Sequence, residues 1–362
     1  MICDTTEDKA EMKIYAMTHK KCQMPFDSLY VPMQVGREIH KPLGYMGDDT
    51  GENISAKNPF YSELTGMYWL WKNDQTDDYI GMCHYRRFLI DENGKLLKEE
   101  QIRQILENYD LITTKQIRLN CTYYDGFAVD HNQRDMDIVA EIIRQTEPRY
   151  YDTFLRTVHD TRTYFGNMLI TSKKHFDNYA AWLFGIFDKA EQQIDMNGYD
   201  GYQKRLYGFI SEILLLVWLK VNKLKVYECK VGMIGEKKET REMEEQLAQY
   251  FREKNIQGAK QYFLNCLAVR PDVLMEASDV YGDLKAAMQV IATAEYEMDA
   301  HGRCILDQCT DFQSLTELFK ELDAVMERQA GGVARPEDDI FLAQQKFSPE
   351  AIMIARKIAE KM

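Results

Sequence analysis

The run Asp77-Asp-Tyr-Ile-Gly-Met-Cys-His-Tyr-Arg-Arg-Phe88 decides how this chain is read. An apolar segment leads straight into His84, Tyr85, Arg86 and Arg87, so Tyr79 to Ile90 reads as one strand with a cationic end. The period of two in a strand puts His84 and Arg86 on one side and Tyr85 and Arg87 on the other. A guanidinium fork bonds two oxygens at once, which makes such a strand end a candidate phosphate site. The bland reading is an edge arginine pair bridging surface carboxylates. Two arginines beside a histidine put the binding reading ahead.

Outward from this run, strand-like and helical segments alternate. Lys13 to Thr18 is a short β-like run, followed by a long polar stretch through Lys57. Asn58-Pro59 offers a helix start, with Leu64, Met67, Tyr68 and Trp71 at helical spacing. Ile102 to Tyr109 marks a helix, Leu111 to Thr114 a strand, and Ile138 to Val158 two helices parted near Pro148. Tyr164 to Thr171 is strand-like, Phe176 to Phe187 and Leu206 to Leu219 are apolar helices, and Val226 to Ile234 closes the series. Strands separated by helices predict an α/β fold with a mainly parallel sheet and helices on its faces. Beyond a charge-dense run from Glu236 to Lys254 the pattern is wholly helical. The expected organisation is a tail over 1–12, an α/β domain over 13–238 and a helical domain over 239–362.

The chain has 362 residues, 45% of them hydrophobic, and a net charge of −13. Its field repels nucleic acid and anionic lipid, so only a local basic patch engages a polyanion. Eight cysteines are scattered without a C-x-x-C pair, which reads as reduced thiols in a cytoplasmic protein. No apolar run approaches the roughly 20 residues of a membrane span, and the acidic first residues do not resemble a signal peptide. Peripheral membrane contact would fall to Lys220, Lys223, Lys225 and Lys230, or to the tail with Arg356, Lys357 and Lys361. Solvated lysines are the default explanation for both.

Three further segments carry candidate chemistry. Asp48, Asp49, Asn53 and Ser55 lie in Gly47-Asp-Asp-Thr-Gly-Glu-Asn-Ile-Ser55, whose composition is that of a turn, although long polar loops in compact domains tend to be functional. Asp130 and His131 precede a helix for which Asp135 is the expected cap; the imidazole suits proton transfer, and support of the helix start is an equal alternative. Gly166 and Asn167 interrupt an apolar strand, a mark of close backbone approach by a ligand. Glu212 falls in an apolar helix seven residues after Arg205. It is either half of a structural ion pair or a buried carboxylate with base character. The seven histidines are too dispersed for a metal cluster, and no P-loop, dinucleotide or nucleophile-elbow motif occurs.

Taken together, Lys13-Ile-Tyr-Ala-Met-Thr-His-Lys20, Tyr30-Val-Pro-Met-Gln-Val-Gly36, Asp48 to Ser55, Lys57-Asn-Pro59, Tyr61-Ser-Glu-Leu-Thr65, Tyr68 to Asn73 and Asp78 to Phe88 resemble, in that order, the DUF4422 family. That family occurs in bacterial capsule and exopolysaccharide clusters and is regarded as a glycosyltransferase group, some relatives being associated with galactofuranosyl transfer. The resemblance covers about Lys13 to Gly235 and implies a GT-A-like fold. It implies a nucleotide-sugar donor, a UDP-sugar by expectation, and a lipid-linked oligosaccharide acceptor at the inner membrane face. Donor contacts would come from Thr18, His19, Lys20, Asp48, Asp49, Asn53, Ser55, His84, Tyr85, Arg86, Arg87 and Asn167. Glu212, His131 and Asp130 are the rival catalytic groups, with Tyr124, Tyr202 and Arg205 on the acceptor side. His84-Tyr85-Arg86 would stand where such folds carry D-x-D, so side-chain cations would replace a metal. A manganese or magnesium ion on Asp48 and Asp49 is the alternative. Two other classes compete: a non-catalytic scaffold of polysaccharide assembly, and a phosphotransferase with His84 as nucleophile.

Overall fold

The computed structural model describes residues 12–75, 78–235, 238–269, 274, 279–345 and 347–359. The chain divides into two compact units, 1–234 and 235–362.

In the first unit, β1 (Lys13–Thr18) pairs in parallel with β2 (Tyr30–Gln34), and β2 with β3 (Met46–Gly47). On its other side β1 pairs in parallel with β4 (Tyr79–His84). There the chain does what alternation along Tyr79 to Ile90 does not predict. It reverses over Tyr85-Arg86, and β5 (Arg87–Ile90) returns antiparallel with His84 directly opposite Arg87. A hairpin of this kind puts the two opposed residues on one face. His84 therefore shares its face with Arg87, and the expected partnership of His84 with Arg86 is corrected.

That reversal also overturns the expected GT-A-like, mainly parallel sheet. Five strands close on themselves: β4 with β5, β5 with β10 (Val226–Met233), β10 with β6 (Leu111–Thr114), β6 with β9 (Leu169–Ser172), and β9 back with β4. Of these pairings only β10 with β6 is parallel. The sheet is a closed five-strand barrel carrying a parallel wing, β3-β2-β1, on β4. The two wing strands β2 and β3 lie inside the stretch that reads as polar loop. Strand β2 contains Pro32 and β3 has two residues, so neither offers a clean alternating pattern. A small second sheet pairs β7 (Ile117–Arg118) with β8 (Arg162–Thr163).

The helices follow the apolar pattern more closely. They are α1 (Asn58–Tyr61), α2 (Leu64–Asn73), α3 (Glu99–Leu106), α4 (Tyr123–Asp130), α5 (Gln133–Thr146), α6 (Pro148–Val158), α7 (Lys173–Glu191) and α8 (Leu206–Asn222). Helix α8 is apolar all round and is buried from Ile213 to Leu219, as such a helix must be. Helix α5 is capped by Asn132, whose side chain accepts from the Arg134 N–H. Asp135, the expected cap, is buried and accepts from the Tyr199 hydroxyl at 2.8 Å instead.

The second unit is helical, as expected: α9 (Lys238–Arg252), α10 (Ile256–Val269), α11 (Asp283–His301), α12 (Phe312–Ala330), α13 (Pro336–Gln345) and α14 (Pro349–Ala359). Its own core includes Leu247, Leu284, Val290, Leu315, Phe319 and Leu322. No helix among the described residues is long and apolar enough to cross a membrane. Of the basic candidates for membrane contact, Lys220 donates to the Thr157 hydroxyl and Lys230 pairs with Glu92, while Lys361 lies outside the described residues.

The loop after β3 is held by a fully buried carboxylate. Asp48 accepts from the N–H groups of Gly36 at 2.9 Å and Arg37 at 3.1 Å, and from the Ser55 hydroxyl at 2.5 Å. Ser55 in turn accepts from the Glu38 N–H, and Asn53 closes an Asx turn onto the Ser55 N–H. Removing the carboxylate leaves several buried donors unpaired. Asp48→Ala is expected to destabilise the first unit by about 3 kcal/mol, or roughly 6–12 °C in its melting temperature, and Asp48→Asn by less. Thermal unfolding monitored by circular dichroism checks this; an unchanged transition would show that the loop does not depend on Asp48.

Candidate functional site

The site is organised by two backbone groups of one glycine. Gly166 and Asn167 precede β9 with φ of +91° and +47°, which is why the strand begins only at Leu169. Glycine meets the first angle without a Cβ clash, and asparagine is among the few residues that tolerate the second. A Cβ at Gly166 would meet an Arg87 guanidinium nitrogen at 3.4 Å, an ordinary van der Waals contact, so the angle and not the space selects glycine. In this turn the Gly166 N–H donates to Glu212 Oε1 at 2.7 Å, and the Gly166 carbonyl accepts from His84 Nε2. A carbonyl oxygen only accepts, so the proton of the neutral imidazole sits on Nε2 and leaves Nδ1 as its remaining acceptor. That geometry weighs against a phosphohistidine formed at Nε2.

Asn167 is buried and holds the turn from the other side. Its Nδ2 donates to Glu63 Oε1 at 2.8 Å and to the Gly208 carbonyl at 3.1 Å, while its Oδ1 accepts from the Ser211 hydroxyl at 3.0 Å. Glu63 stands at the start of α2, after Ser62, whose φ of +51° and ψ of −130° are costly for a residue with a Cβ. Asn58 Nδ2 and Thr65 Oγ1 both donate to the Ser62 carbonyl and hold that turn. Arg205 Nε donates to Ser62 Oγ at 3.2 Å.

Two carboxylates, one imidazole and two guanidiniums therefore converge. Burial pushes the Glu212 carboxyl up to about 8; the Glu63 charge adds to this, and the Gly166 N–H, Arg87 and Arg205 oppose it. Burial likewise lowers the His84 pKa, with Arg87 and Arg205 in the same direction and Glu63 and the Gly166 carbonyl against it. His19 is lowered by desolvation and then by Lys20, Arg205, His40 and His84, so these cations share one neighbourhood. Tyr85 belongs to the same group, its ring edge-on to His19 at 5.4 Å and beneath Lys20 at 5.3 Å. Thr18 is buried beside them and donates to the Lys20 carbonyl.

Next to this cationic group is an aromatic shelf. His131 is buried between Phe127 and Phe209, with ring centroids at 4.8 and 4.5 Å, and Tyr202 lies at 5.7 Å. The Arg205 guanidinium sits 5.4 Å from the Phe209 ring and 5.9 Å from that of Tyr202. Desolvation lowers the His131 pKa; the neighbouring Asp130 and Asp200 oppose this and Arg205 adds to it, so Asp130 acts on the ring electrostatically from its exposed position. Its Nε2 is buried without a hydrogen-bond partner. Arg205 thus acts electrostatically on His19, His84, His131 and Glu212.

The other sequence candidates lie apart from this convergence. Arg86 Nε donates to the Ile234 carbonyl beside β10. Asp48, Asn53 and Ser55 are engaged within their own loop, and Asp49 pairs with Arg37 at 3.4 Å. Asp130 is exposed, and Tyr124 donates to Asp137 and packs on His159. Asp48 is engaged by the Gly36 and Arg37 N–H groups and the Ser55 hydroxyl, and Asp49 by the Arg37 guanidinium, an arrangement that does not suit a cation site on this pair; among the described residues no three His, Cys, Asp or Glu side chains gather as a metal-ligating set. Sequence reasoning missed Glu63, because a glutamate at a helix start ordinarily reads as a partner of the helix dipole.

The family profile of DUF4422, a domain of unknown function, matches residues 13–223. The chain belongs to the DUF4422 family. Among solved structures it is similar to the apo structure of WbbM, described as a bifunctional glycosyltransferase, with 32% sequence identity and a TM-score of 0.59. The match covers 62% of this chain and 45% of that one, so the chain spans less than half of the length of WbbM. No curated protein matches the chain.

A half-buried acid with a raised pKa leaves a signature in stability. In the unfolded chain Glu212 ionises near 4.5, whereas in the folded chain it stays protonated until about 8. Between these values the unfolded state gains ionisation that the folded state forgoes, so the group's contribution is favourable below the lower value and lost as pH rises through the upper one. Glu212→Gln keeps an acceptor for the Gly166 N–H. It is expected to melt several degrees above wild type at pH 8.5, with a difference that shrinks towards pH 5. Melting curves across that range test it; a difference independent of pH would contradict the raised pKa.

Proposed function

We propose that this chain is a glycosyltransferase that moves a sugar from a nucleotide-sugar donor to a hydroxyl of a carbohydrate acceptor. The observation that carries the reading is the pairing, through Gly166, of a protonatable carboxyl with an imidazole inside a cluster of cations. In such a transfer the acceptor oxygen bonds to the anomeric carbon, the bond from that carbon to the phosphate oxygen breaks, and a nucleoside diphosphate departs. Negative charge develops on the leaving oxygen, and preorganised cations stabilise it most where water is excluded. Arg87, Arg205 and Lys20 supply the positive charge in this reading and neutral His19 a hydrogen-bond donor, with Arg87 taking the role that alternation along the sequence gives to Arg86. Glu212, whose pKa lies near working pH, accepts the acceptor's proton.

The aromatic shelf of His131, Tyr202 and Phe209 suits the acceptor, since sugar rings present apolar faces to aromatic ones and hydroxyls to polar tips. Similarity to WbbM and membership of DUF4422 support transferase chemistry. The finer assignment is a UDP-hexose donor, galactofuranose among the candidates, and a lipid-linked polysaccharide acceptor at the cytoplasmic membrane face. It rests on the family resemblance of the motifs.

A panel of nucleotide sugars tests the class. The chain is expected to hydrolyse one donor slowly and release free nucleoside diphosphate. Glu212→Gln is expected to reduce turnover by about 100-fold or more while the donor still raises its melting temperature. Arg87→Ala is expected to lose that donor-induced shift. Absence of turnover with every donor, even with lipid-linked acceptors present, would contradict the reading and favour a non-catalytic scaffold.

A further inference from the structure

We infer that Glu63 is a positioning residue of this site, its carboxylate anchoring the Asn167 amide and so fixing the Gly166 turn that holds both His84 and Glu212. The chain of contacts is continuous. The Ser62 turn, held by Asn58 and Thr65, delivers Glu63 to the start of α2; Glu63 Oε1 accepts from Asn167 Nδ2 at 2.8 Å; and the next residue back is Gly166. Strained backbone persists only where its surroundings over-determine it, and here Ser62, Gly166 and Asn167 all have positive φ within one hydrogen-bonded network. Helix α8 closes the network through the Gly208 carbonyl and the Ser211 hydroxyl. A Cβ at Gly208 would come within 3.3 Å of Ser62 Oγ, so the helix approaches this turn closely.

A glutamate serving only to start a helix would need none of this. At this position its charge also acts on the two groups it helps to hold, favouring the imidazolium of His84 and opposing ionisation of Glu212. The other titratable or charged groups facing His84 are Arg87 from β5 and Arg205 from the turn before α8, both opposing its protonation, and His19 after β1, which interacts with it electrostatically. Glu212 from α8 shares the Gly166 turn with it. Glu63 therefore offsets in part the burial and the two guanidiniums that lower the His84 pKa.

The inference deepens the transferase reading and rests on it for its catalytic meaning, but its test does not require turnover. In the full chain labelled at histidine Cε1, the His84 ring resonance is followed through a pH titration in wild type and in Glu63→Gln. The variant replaces the charged acceptor of the Asn167 amide by a neutral one, so it weakens the anchor and removes the charge together. The His84 midpoint is expected to fall by about one pH unit, the scale of a close opposite charge. An unchanged His84 midpoint would overturn the inference. Should Glu63→Gln fail to fold, Glu63→Asp, which withdraws the same charge by one methylene, is titrated instead. A fall at His84 supports the inference, and no change overturns it. A normal shift in a chain that processes no donor would leave the positioning role standing and sink the transferase reading alone.

Discussion

The structure depends on the two hydrogen bonds made by Gly166. One residue uses its N–H to hold a carboxyl and its carbonyl to hold an imidazole, and both side chains come from elements far apart in sequence. Strand β4 brings His84, helix α8 brings Glu212, and the turn before β9 joins them. None of the three elements makes a site alone. The constraint that joins them is conformational: a φ of +91° followed by +47° is open to few pairs of residues other than Gly-Asn.

Electrostatics follow from that junction. In a chain with a net charge of −13, Arg87 and Arg205 both act on Glu212, and Lys20 and Arg205 both favour the neutral form of His19. Arg205 is the most connected of them, since its charge reaches the cationic cluster and the aromatic shelf alike. An arginine can serve both because its guanidinium is charged at every working pH and packs on aromatic faces. The acidic remainder of the molecule repels general polyanions, and the small-anion ligand of the proposed function does not conflict with that field.

Much of the helical framework was legible in the sequence, because apolar residues at helical spacing mark α5, α6, α7 and α8 without help from context. The sheet was less so. Alternation along Tyr79 to Ile90 is compatible with one strand or with a two-residue hairpin, and the turn Tyr85-Arg86 contains neither Gly nor Asn to announce itself. That ambiguity turned Arg86 away from the site and Arg87 into it, and it hid the closure of the barrel. Glu212, His84, Arg87, Asn167 and Arg205 were legible as polar residues interrupting apolar runs. Asp48 was legible as important, but its bonds run to its own loop. Glu63 was not legible, since its significance lies in the backbone of Ser62 and in a partner 104 residues away. The tyrosines divide similarly: Tyr61 and Tyr207 stack in the core at 4.6 Å, whereas Tyr85 and Tyr202 border the site.

The central claim is that this cation-lined junction receives a nucleoside diphosphate. Calorimetric titration of the full chain with a nucleoside diphosphate measures that directly, in wild type and in the Arg87→Ala/Arg205→Ala double variant. The account predicts saturable binding that weakens with added salt and falls at least about tenfold in the variant, the loss expected when charge-assisted bonds to a phosphate are removed. Equal affinity in the two proteins would contradict it.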